Sequence, residues 1–112
     1  MAAPTVTTQA ADLVGATVAR GNGNVTDDGG QTITERGVCI KVTTTPTTAD
    51  TKFTATGTTG AYTVAMSGLS VTQLYYARAY AINAGGTSYG GQVTFTTGTP
   101  TPKPKLVAMG VI

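Results

Sequence analysis

Short runs of alternating apolar and polar residues follow one another along the chain, and glycine, proline, aspartate or asparagine closes most of them. Alternation with a period of two is typical of strands that bury one face, whereas a helix repeats its apolar positions about every 3.6 residues. The pattern therefore predicts seven strands joined by short turns. Their predicted bounds are Thr5 to Gln9, Leu13 to Arg20, Thr32 to Val42, Lys52 to Thr56, Ala61 to Met66, Gln73 to Asn83 and Ser88 to Thr97.

Within five of these strands the alternation also predicts which face is buried. Between strands, TTTPTTAD (43–50) is predicted to be a loop, because Pro46 cannot donate a ladder hydrogen bond, and GTTG (57–60) a hairpin-like connection. The predicted inward sets are Val14, Ala16 and Val18; Val38, Ile40 and Val42; Tyr62, Val64 and Met66; Tyr75, Ala77, Ala79 and Ala81; and Tyr89, Val93 and Phe95.

Composition agrees with a chain of strands and turns. Charged residues make up 11% of the 112 residues, against about 25% in an average soluble domain. Threonine is the commonest residue, and β-branched side chains lose rotamer freedom in a helix but pack well on a pleated sheet. The sequence thus predicts one all-β domain, a β-sandwich with essentially no helix.

Charge and apolar runs argue against two kinds of partner. The net charge is +2 and forms no basic patch, so nucleic acid is not an expected partner. No apolar run approaches the roughly eighteen residues of a membrane span, and the N-terminus lacks the charged and apolar regions of a secretion signal. A start at Met1 without such a signal favours a whole small protein over an excised module.

Cys39 is the only cysteine, and the chain contains no histidine. A cysteine nucleophile needs a nearby base, so no catalytic set can be assembled, and we expect neither an enzyme nor a cofactor. We interpret Cys39 as a buried or half-buried free thiol. The alternation of Val38, Ile40 and Val42 places it opposite the apolar face, yet a bulge near Gly37 would reverse that.

The segment NGNVTDDGGQ, residues 22–31, combines oxygen-bearing side chains with glycines. It has two interpretations, a calcium loop or a turn. The spacing lacks the alternating ligands and the closing glutamate of an EF-hand loop, so we expect no metal site. We predict instead a turn in which Asp27 or Asp28 accepts a hydrogen bond from its own backbone while Gly29 and Gly30 take positive φ.

The segment GLSVTQLYYARAYAINAGGTSYG, residues 68–90, resembles the F-strand region of a fibronectin type III-like domain. Leu69 and Tyr75 hold the leucine and tyrosine positions of that region. Their spacing suits a tyrosine corner, in which the ring is buried under the turn between two sheets and its hydroxyl bonds the backbone a few residues upstream. Both residues are therefore interpreted as structural.

The earlier part of the chain resembles the bacterial and bacteriophage variety of the same family. The resemblance spans about residues 4 to 97 and implies a seven-stranded antiparallel Greek-key sandwich of the fibronectin type III or immunoglobulin-like kind. A proline is usual where Val71 stands and a bulkier residue where Ala77 stands, which implies a thinner core there. The matching residues are Val25, Asp28, Gly29, Gly30, Ile33, Arg36, Gly37, Val38 and Cys39.

Tyr76, Arg78 and Tyr80 alternate with the inward residues of the sixth predicted strand. They are expected on its outward face, where the Arg78 guanidinium can stack on either tyrosine ring. This trio is the predicted exposed patch for a partner, such as a surface glycan or a host surface; the alternative is an ordinary solvated strand face.

The C-terminal region differs in composition from the sandwich, which is assigned to residues 1–97. GTPTPKPK, residues 98–105, has proline at alternate positions and predicts an extended spacer of roughly 25 Å at about 3.1 Å per residue. The apolar segment LVAMGVI, residues 106–112, is expected to dock on its own domain or on a neighbouring subunit. Its predicted contact residues are Leu106, Val107, Met109, Val111 and Ile112.

Members of the resembled family serve mainly as spacers, adhesive modules and decorations on secreted enzymes, cell surfaces and virions, so the fold alone does not choose a function. Two hypotheses remain. The preferred one is a small decoration protein of a bacteriophage capsid or tail, anchored through its termini at the virion surface and bound to protein partners through the C-terminal arm. The alternative is a spacer or adhesive module of an extracellular or bacterial cell-surface protein.

Overall fold

The structure is a computed structural model that describes residues 3–99. Over this range all regular secondary structure is β-strand, which confirms the all-β prediction. Every strand pairing is antiparallel. The strands are β1 (Thr5–Asp12), β2 (Ala19–Asp27), β3 (Glu35–Lys41), β4 (Thr51–Ala55), β5 (Gly60–Met66), β6 (Leu74–Asn83), β7 (Gly86–Tyr89) and β8 (Val93–Thr96).

The strands form two sheets that face each other. One sheet has the order β1-β2-β5, and the other has the order β4-β3-β6-β7, with β8 also paired to β6. Because β4 pairs with β3 and β5 pairs with β2, the GTTG connection crosses from one sheet to the other. The prediction of a hairpin-like connection there was wrong.

The second strand lies later in the chain than the alternation predicted. Residues 13–18 are a turn in which Gly15 N donates to Val18 O at 2.7 Å, and Val14 and Val18 are exposed. β2 instead runs through the asparagines and glycines of residues 21–24, and the predicted strand at Leu13 to Arg20 was wrong. The apolar alternation of residues 14–18 was misleading because its valines contact solvent at the end of the sandwich.

The last predicted strand, Ser88 to Thr97, is two strands, which gives eight strands instead of seven. β7 pairs with the end of β6 and β8 with its beginning. Between them the Thr8 hydroxyl of β1 accepts a hydrogen bond from Ala79 N at 2.9 Å, and a Cβ on Gly90 would collide with that hydroxyl. Glycine at position 90 therefore lets β1 approach β6 through the break.

The hydrophobic core lies between the two sheets. Most of the predicted inward residues are buried, including all of those on β5 and β6. The prediction that Val42 faces inward was wrong, because β3 ends at Lys41. Val42 starts the following loop and is 51% exposed. Val14 and Val18 are exposed for the reason given above, and Tyr89, the ladder partner of Tyr80, lies outside the core cluster. The core cluster contains Val6, Ala19, Val25, Ile33, Val38, Ile40, Tyr62, Val64, Met66, Leu69, Tyr75, Ala77, Ala79, Ala81 and Phe95.

The predicted arm falls largely beyond the described range. Only Gly98 and Thr99 of the spacer are described, and the apolar segment 106–112, with Leu106, Val107, Met109, Val111 and Ile112, lies outside the described residues. Within residues 3–99 no helix is long and apolar enough to cross a membrane.

Candidate functional site

The outward trio of β6 is not an exposed patch. Tyr80 is fully buried, and its hydroxyl donates a 2.6 Å hydrogen bond to Glu35 Oε2. Arg78 lies 3.9 Å above the ring of Tyr89, and its Nε donates to Pro46 O at 2.9 Å. The prediction that Arg78 stacks on Tyr76 or Tyr80 was therefore wrong. The 43–50 loop folds back over this sheet face, which single-strand periodicity does not reveal.

Glu35, Lys52 and Tyr80 form a small polar cluster on the same sheet face. Lys52 Nζ lies 2.7 Å from Glu35 Oε2, and these two contacts, Lys52 first and Tyr80 second, lower the pKa of Glu35. Burial raises the pKa of Tyr80, and the Glu35 carboxylate raises it further. The cluster holds β3, β4 and β6 together and offers no group ready to act as a base near neutral pH.

Tyr62 crosses the core from one sheet to the other. Its hydroxyl donates to Gly37 O at 2.7 Å and to Tyr80 O at 3.1 Å, and burial raises its pKa to about 12. Since tyrosine in an unfolded chain has a pKa of about 10, its contribution to stability is present below pH 10 and is lost as the pH rises through about 12.

Alkaline pH is therefore expected to weaken the fold. Urea unfolding should give a falling free energy of unfolding above about pH 10, as unfolded-state tyrosines ionise while Tyr62 and Tyr80 stay protonated in the fold. In the Tyr62→Phe variant, which lacks the hydroxyl, the decline should be shallower. An identical decline in both proteins would contradict this role for Tyr62.

Cys39 is completely buried, and its thiol lies 3.4 Å from Arg78 O. It is paired with Arg78 across the β3–β6 ladder and does not belong to the core cluster, so it lies on the outer face of its sheet. Burial raises the pKa of the thiol. A protonated, enclosed thiol is a packing group and a poor nucleophile.

The connection after β2 contains the predicted turn residues. Gly29 N donates to Asp27 Oδ1 at 2.9 Å and Gly30 N to Asp28 Oδ1 at 2.8 Å, and both glycines have positive φ. Each carboxylate thus closes its own backbone turn. Within residues 3–99 no group of three or more histidine, cysteine, aspartate or glutamate side chains is placed to hold a metal ion.

Leu69 and Tyr75 are both buried at the end of the sandwich where the β5–β6 connection crosses between the sheets. Ser70 N donates to the Tyr75 hydroxyl at 2.8 Å, and the Tyr75 and Phe95 rings stack with centroids 5.4 Å apart. This is the geometry of a tyrosine corner, with the hydroxyl bound to the backbone five residues upstream.

Sequence reasoning did not assign the role of Arg36. It is 7% exposed, lies 4.7 Å above the Tyr62 ring and donates to four carbonyls of the connection between the sheets. Its acceptors are the carbonyl oxygens of Thr56 at 2.6 and 3.0 Å, Thr58 at 3.2 Å, Thr59 at 3.1 Å and Gly60 at 3.2 Å. The available signal was its position, because Arg36 lies two residues before Val38 and so shares the face that the alternation predicts to be inward.

One end of the sandwich is apolar. All six large hydrophobic side chains that are exposed within residues 3–99 lie there, in the β1–β2, β3–β4 and β5–β6 connections or at the first residue of β6. At the opposite end the connections consist mainly of glycine, threonine, aspartate and alanine. We call the first end the apolar end; its exposed residues are Leu13, Val14, Val18, Val42, Val71 and Leu74.

The arm leaves the sandwich in the middle of the apolar end. Gly98 N donates to Gly15 O at 2.9 Å, and Gly98 O accepts from Thr72 N at 3.0 Å. The root of the arm is thus held between the β1–β2 turn, which carries Val14, and the β5–β6 connection, which carries Val71. This is the exposed apolar surface that the sequence analysis did not find.

No protein-family model matches the chain, and no curated sequence matches it either. Several solved structures have the same fold. The sensor domain of the anti-sigma factor RsgI4 from Pseudobacteroides cellulosolvens is 13% identical with a TM-score of 0.59, covering 88% of this chain and 98% of that one. The fibronectin type III domain of human fibronectin type III domain containing protein 3 is 18% identical with a TM-score of 0.58, covering 96% and 95%.

A fibronectin type III domain from the human KIAA0970 protein is 13% identical with a TM-score of 0.59, covering 88% of this chain and 76% of that one. The fold is fibronectin type III-like. In this fibronectin type III-like sandwich the core face of β6 carries three buried alanines, and the Tyr62 ring from β5 packs beside Ala79. Ring volume from the opposite sheet thus fills the space that the small β6 residues leave.

Proposed function

We propose that this chain is a non-enzymatic structural module that joins a larger assembly through its C-terminal arm and presents its sandwich outward. A fibronectin type III-like fold favours a module for interaction or spacing. The preferred assembly is a virion, with the chain as a small decoration protein on the capsid or tail surface. Apolar surface concentrated at one end is typical of a contact site.

The observation that carries this proposal is the position of the arm root. Gly98 is bonded to both connections that flank it, so the arm begins inside the apolar end. The sequence after it includes LVAMGVI, an apolar segment. An apolar end joined through a proline-rich spacer to an apolar segment suits attachment, since the sandwich can stay folded while the arm reaches a partner.

Deleting Lys105 to Ile112 is expected to leave the sandwich folded and to abolish incorporation into the assembly. The measurement is the amount of tagged chain that co-sediments with particles from the natural source. A matched control replaces residues 106–112 with glycine and serine at equal length, which keeps the spacer and removes only the apolar side chains. Normal incorporation of either variant would contradict attachment through the arm.

A spacer or adhesive module of an extracellular or bacterial cell-surface protein is the second candidate. It is favoured by the fold neighbours, each of which is a domain of another protein. In that case the apolar end would pack against a following domain. The chain would then stay monomeric with and without residues 105–112, and no particle would retain it.

A further inference from the structure

The apolar end contains a defined groove on the outer side of the three-stranded sheet. It has a volume of about 320 Å³ and is lined mainly by apolar atoms, and its lining residues include Leu13, Val18, Ala65 and Met66. Known ligand pockets occupy roughly 300–1,000 Å³. The groove is therefore large enough for a few apolar side chains and too small for a domain surface.

Leu13, at the rim of this groove, has an unfavourable backbone conformation and an exposed apolar side chain in the isolated chain. It has a φ of 49°, a left-handed conformation that leucine rarely adopts, and 69% of its surface is exposed. Glycine or asparagine would suit this backbone better. A large apolar side chain held there points to a role outside the packing of its own domain.

The groove also borders a free backbone edge. Ala65 and Met66 belong to β5, which is the last strand of its sheet and pairs only with β2 in the described part of the chain. An extended segment can add to such an edge through main-chain hydrogen bonds while its alternate side chains enter a neighbouring pocket. The groove and the edge together fit a short, extended apolar peptide.

The chain itself carries such a peptide. LVAMGVI has β-branched and apolar residues, no charge and no proline, which favours strand pairing. The two lysines that precede it, Lys103 and Lys105, keep the adjoining spacer polar. The segment thus has the chemistry that the groove and the β5 edge would recognise.

The position of the arm root and the proline content of the spacer favour the groove of another copy. Gly98 N donates a hydrogen bond to Gly15 O, and Gly15 is only two residues, or about 7 Å of extended chain, from Leu13. The root of the arm therefore lies close to the groove rim. The spacer of residues 98–105 favours an extended run of about 25 Å, because proline and the residue before it both avoid compact conformations. If the spacer is extended, as its prolines favour, a return of residues 106–112 to a groove beside the start of the spacer is disfavoured.

We propose that residues 106–112 of one copy bind in the groove beside Leu13, Val18 and β5 of a second copy. The proposed exchange is reciprocal, with each arm in the groove of the other copy, which closes a two-fold pair instead of an open filament. The inference deepens the proposed function, on which it rests, by naming the partner of the arm as a second copy of this chain.

The test is the molar mass of the full chain by sedimentation equilibrium over a range of concentrations. The chain is expected to be a dimer that dissociates on dilution. Val18→Asp should weaken the association about a hundredfold, since a carboxylate would be buried against apolar atoms. Val42→Asp is the matched control, because Val42 is an equally exposed valine at the same end but outside the groove.

Leu13→Gly separates a docking role from a structural one. It relieves the left-handed strain, so the melting temperature of the monomer should stay the same or rise while the dimer weakens. A residue that served only its own fold would not move these two quantities in opposite directions. Loss of both stability and association in Leu13→Gly would overturn this part of the proposal.

Mixing two defective variants tests the exchange. The Val18→Asp chain keeps its arm, and a chain carrying Val107→Asp with Ile112→Asp keeps its groove, so each should be monomeric alone while the mixture forms a one-sided heterodimer. A monomeric full chain, equal weakening by Val18→Asp and Val42→Asp, or a mixture that stays monomeric would overturn the proposal. If incorporation still requires residues 106–112 in that event, the proposed function stands and only the identity of the partner is wrong.

Discussion

Replacing Arg36 with alanine is expected to lower the free energy of unfolding by about 3 kcal/mol or more. The guanidinium donates to the carbonyls of Thr56, Thr58, Thr59 and Gly60 in the connection that crosses between the sheets. It also covers the ring of Tyr62. Alanine would leave several inward carbonyls without a donor and uncover the ring, and the total stability of a domain is only about 5–15 kcal/mol.

Chemical denaturation followed by circular dichroism measures this effect. Arg36→Lys should fall between the wild type and Arg36→Ala, because an ammonium keeps the charge but lacks the planar fork that reaches several carbonyls. Arg20→Ala is the contrasting control, since Arg20 forms a solvent-exposed ion pair with Asp12 and should change stability far less. If Arg36→Ala lowered the free energy of unfolding as little as Arg20→Ala does, the hydrogen bonds of Arg36 would not be needed to hold the connection in place.

Replacing Gly23 with alanine is expected to destabilise the fold by about 3 kcal/mol. A Cβ at this position would lie 2.6 Å from the Tyr62 ring and hydroxyl and 2.8 Å from the Cβ of Ala79. The ring cannot give way without losing its hydrogen bonds to Gly37 O and Tyr80 O. The added methyl group would therefore force the Tyr62 ring or the neighbouring β6 strand to move.

Gly91→Ala is the matched control for that substitution. A Cβ on Gly91 would have no atom within 4 Å, so its stability should match the wild type. Thermal unfolding of both variants gives the comparison. Equal melting temperatures for Gly23→Ala and the wild type would mean that the Tyr62 ring has room to move, which would contradict its role as the tie between the sheets.

The sandwich could be predicted from the sequence because its strands have one buried face. The alternation on β5 and β6 gave the correct inward residues, and the spacing of Leu69 and Tyr75 pointed to a fibronectin type III-like fold. The apolar end could not be predicted, since Val14 and Val18 alternate like a strand whether a sheet covers them or solvent does. Exposure depends on where the chain turns, and local alternation does not show that it turns after β1.

The errors within the sandwich have a common physical cause. Gly21 and Gly23 look like turn residues, yet they lie in β2, and side chains of both sheets fill the space that their Cβ atoms would need. Tyr80 looks exposed by alternation, yet Glu35 accepts its hydroxyl hydrogen bond and the sheet face is covered. In each case residues distant in sequence determine whether the position is buried, and the local alternation of apolar and polar residues does not predict this.

The paired strands and the core lie apart from the end of the sandwich that we propose for attachment. A chain truncated after Thr99 keeps the eight strands and the core cluster that the structure describes, so we expect it to fold alone. The exposed apolar side chains are at the end where the arm begins. A scaffold of this kind can tolerate variation in the arm without loss of the fold, which is why binding and folding can be measured independently.

The most direct measurement is to add a peptide of residues 100–112 to the isotope-labelled chain truncated after Thr99 and to record amide chemical shifts by NMR. Binding of the arm to the apolar end predicts saturable shifts at Leu13, Val18, Ala65 and Met66, with Val42 little changed, and loss of these shifts in the Val18→Asp chain. No shifts, or shifts confined to the opposite end of the sandwich, would contradict the account.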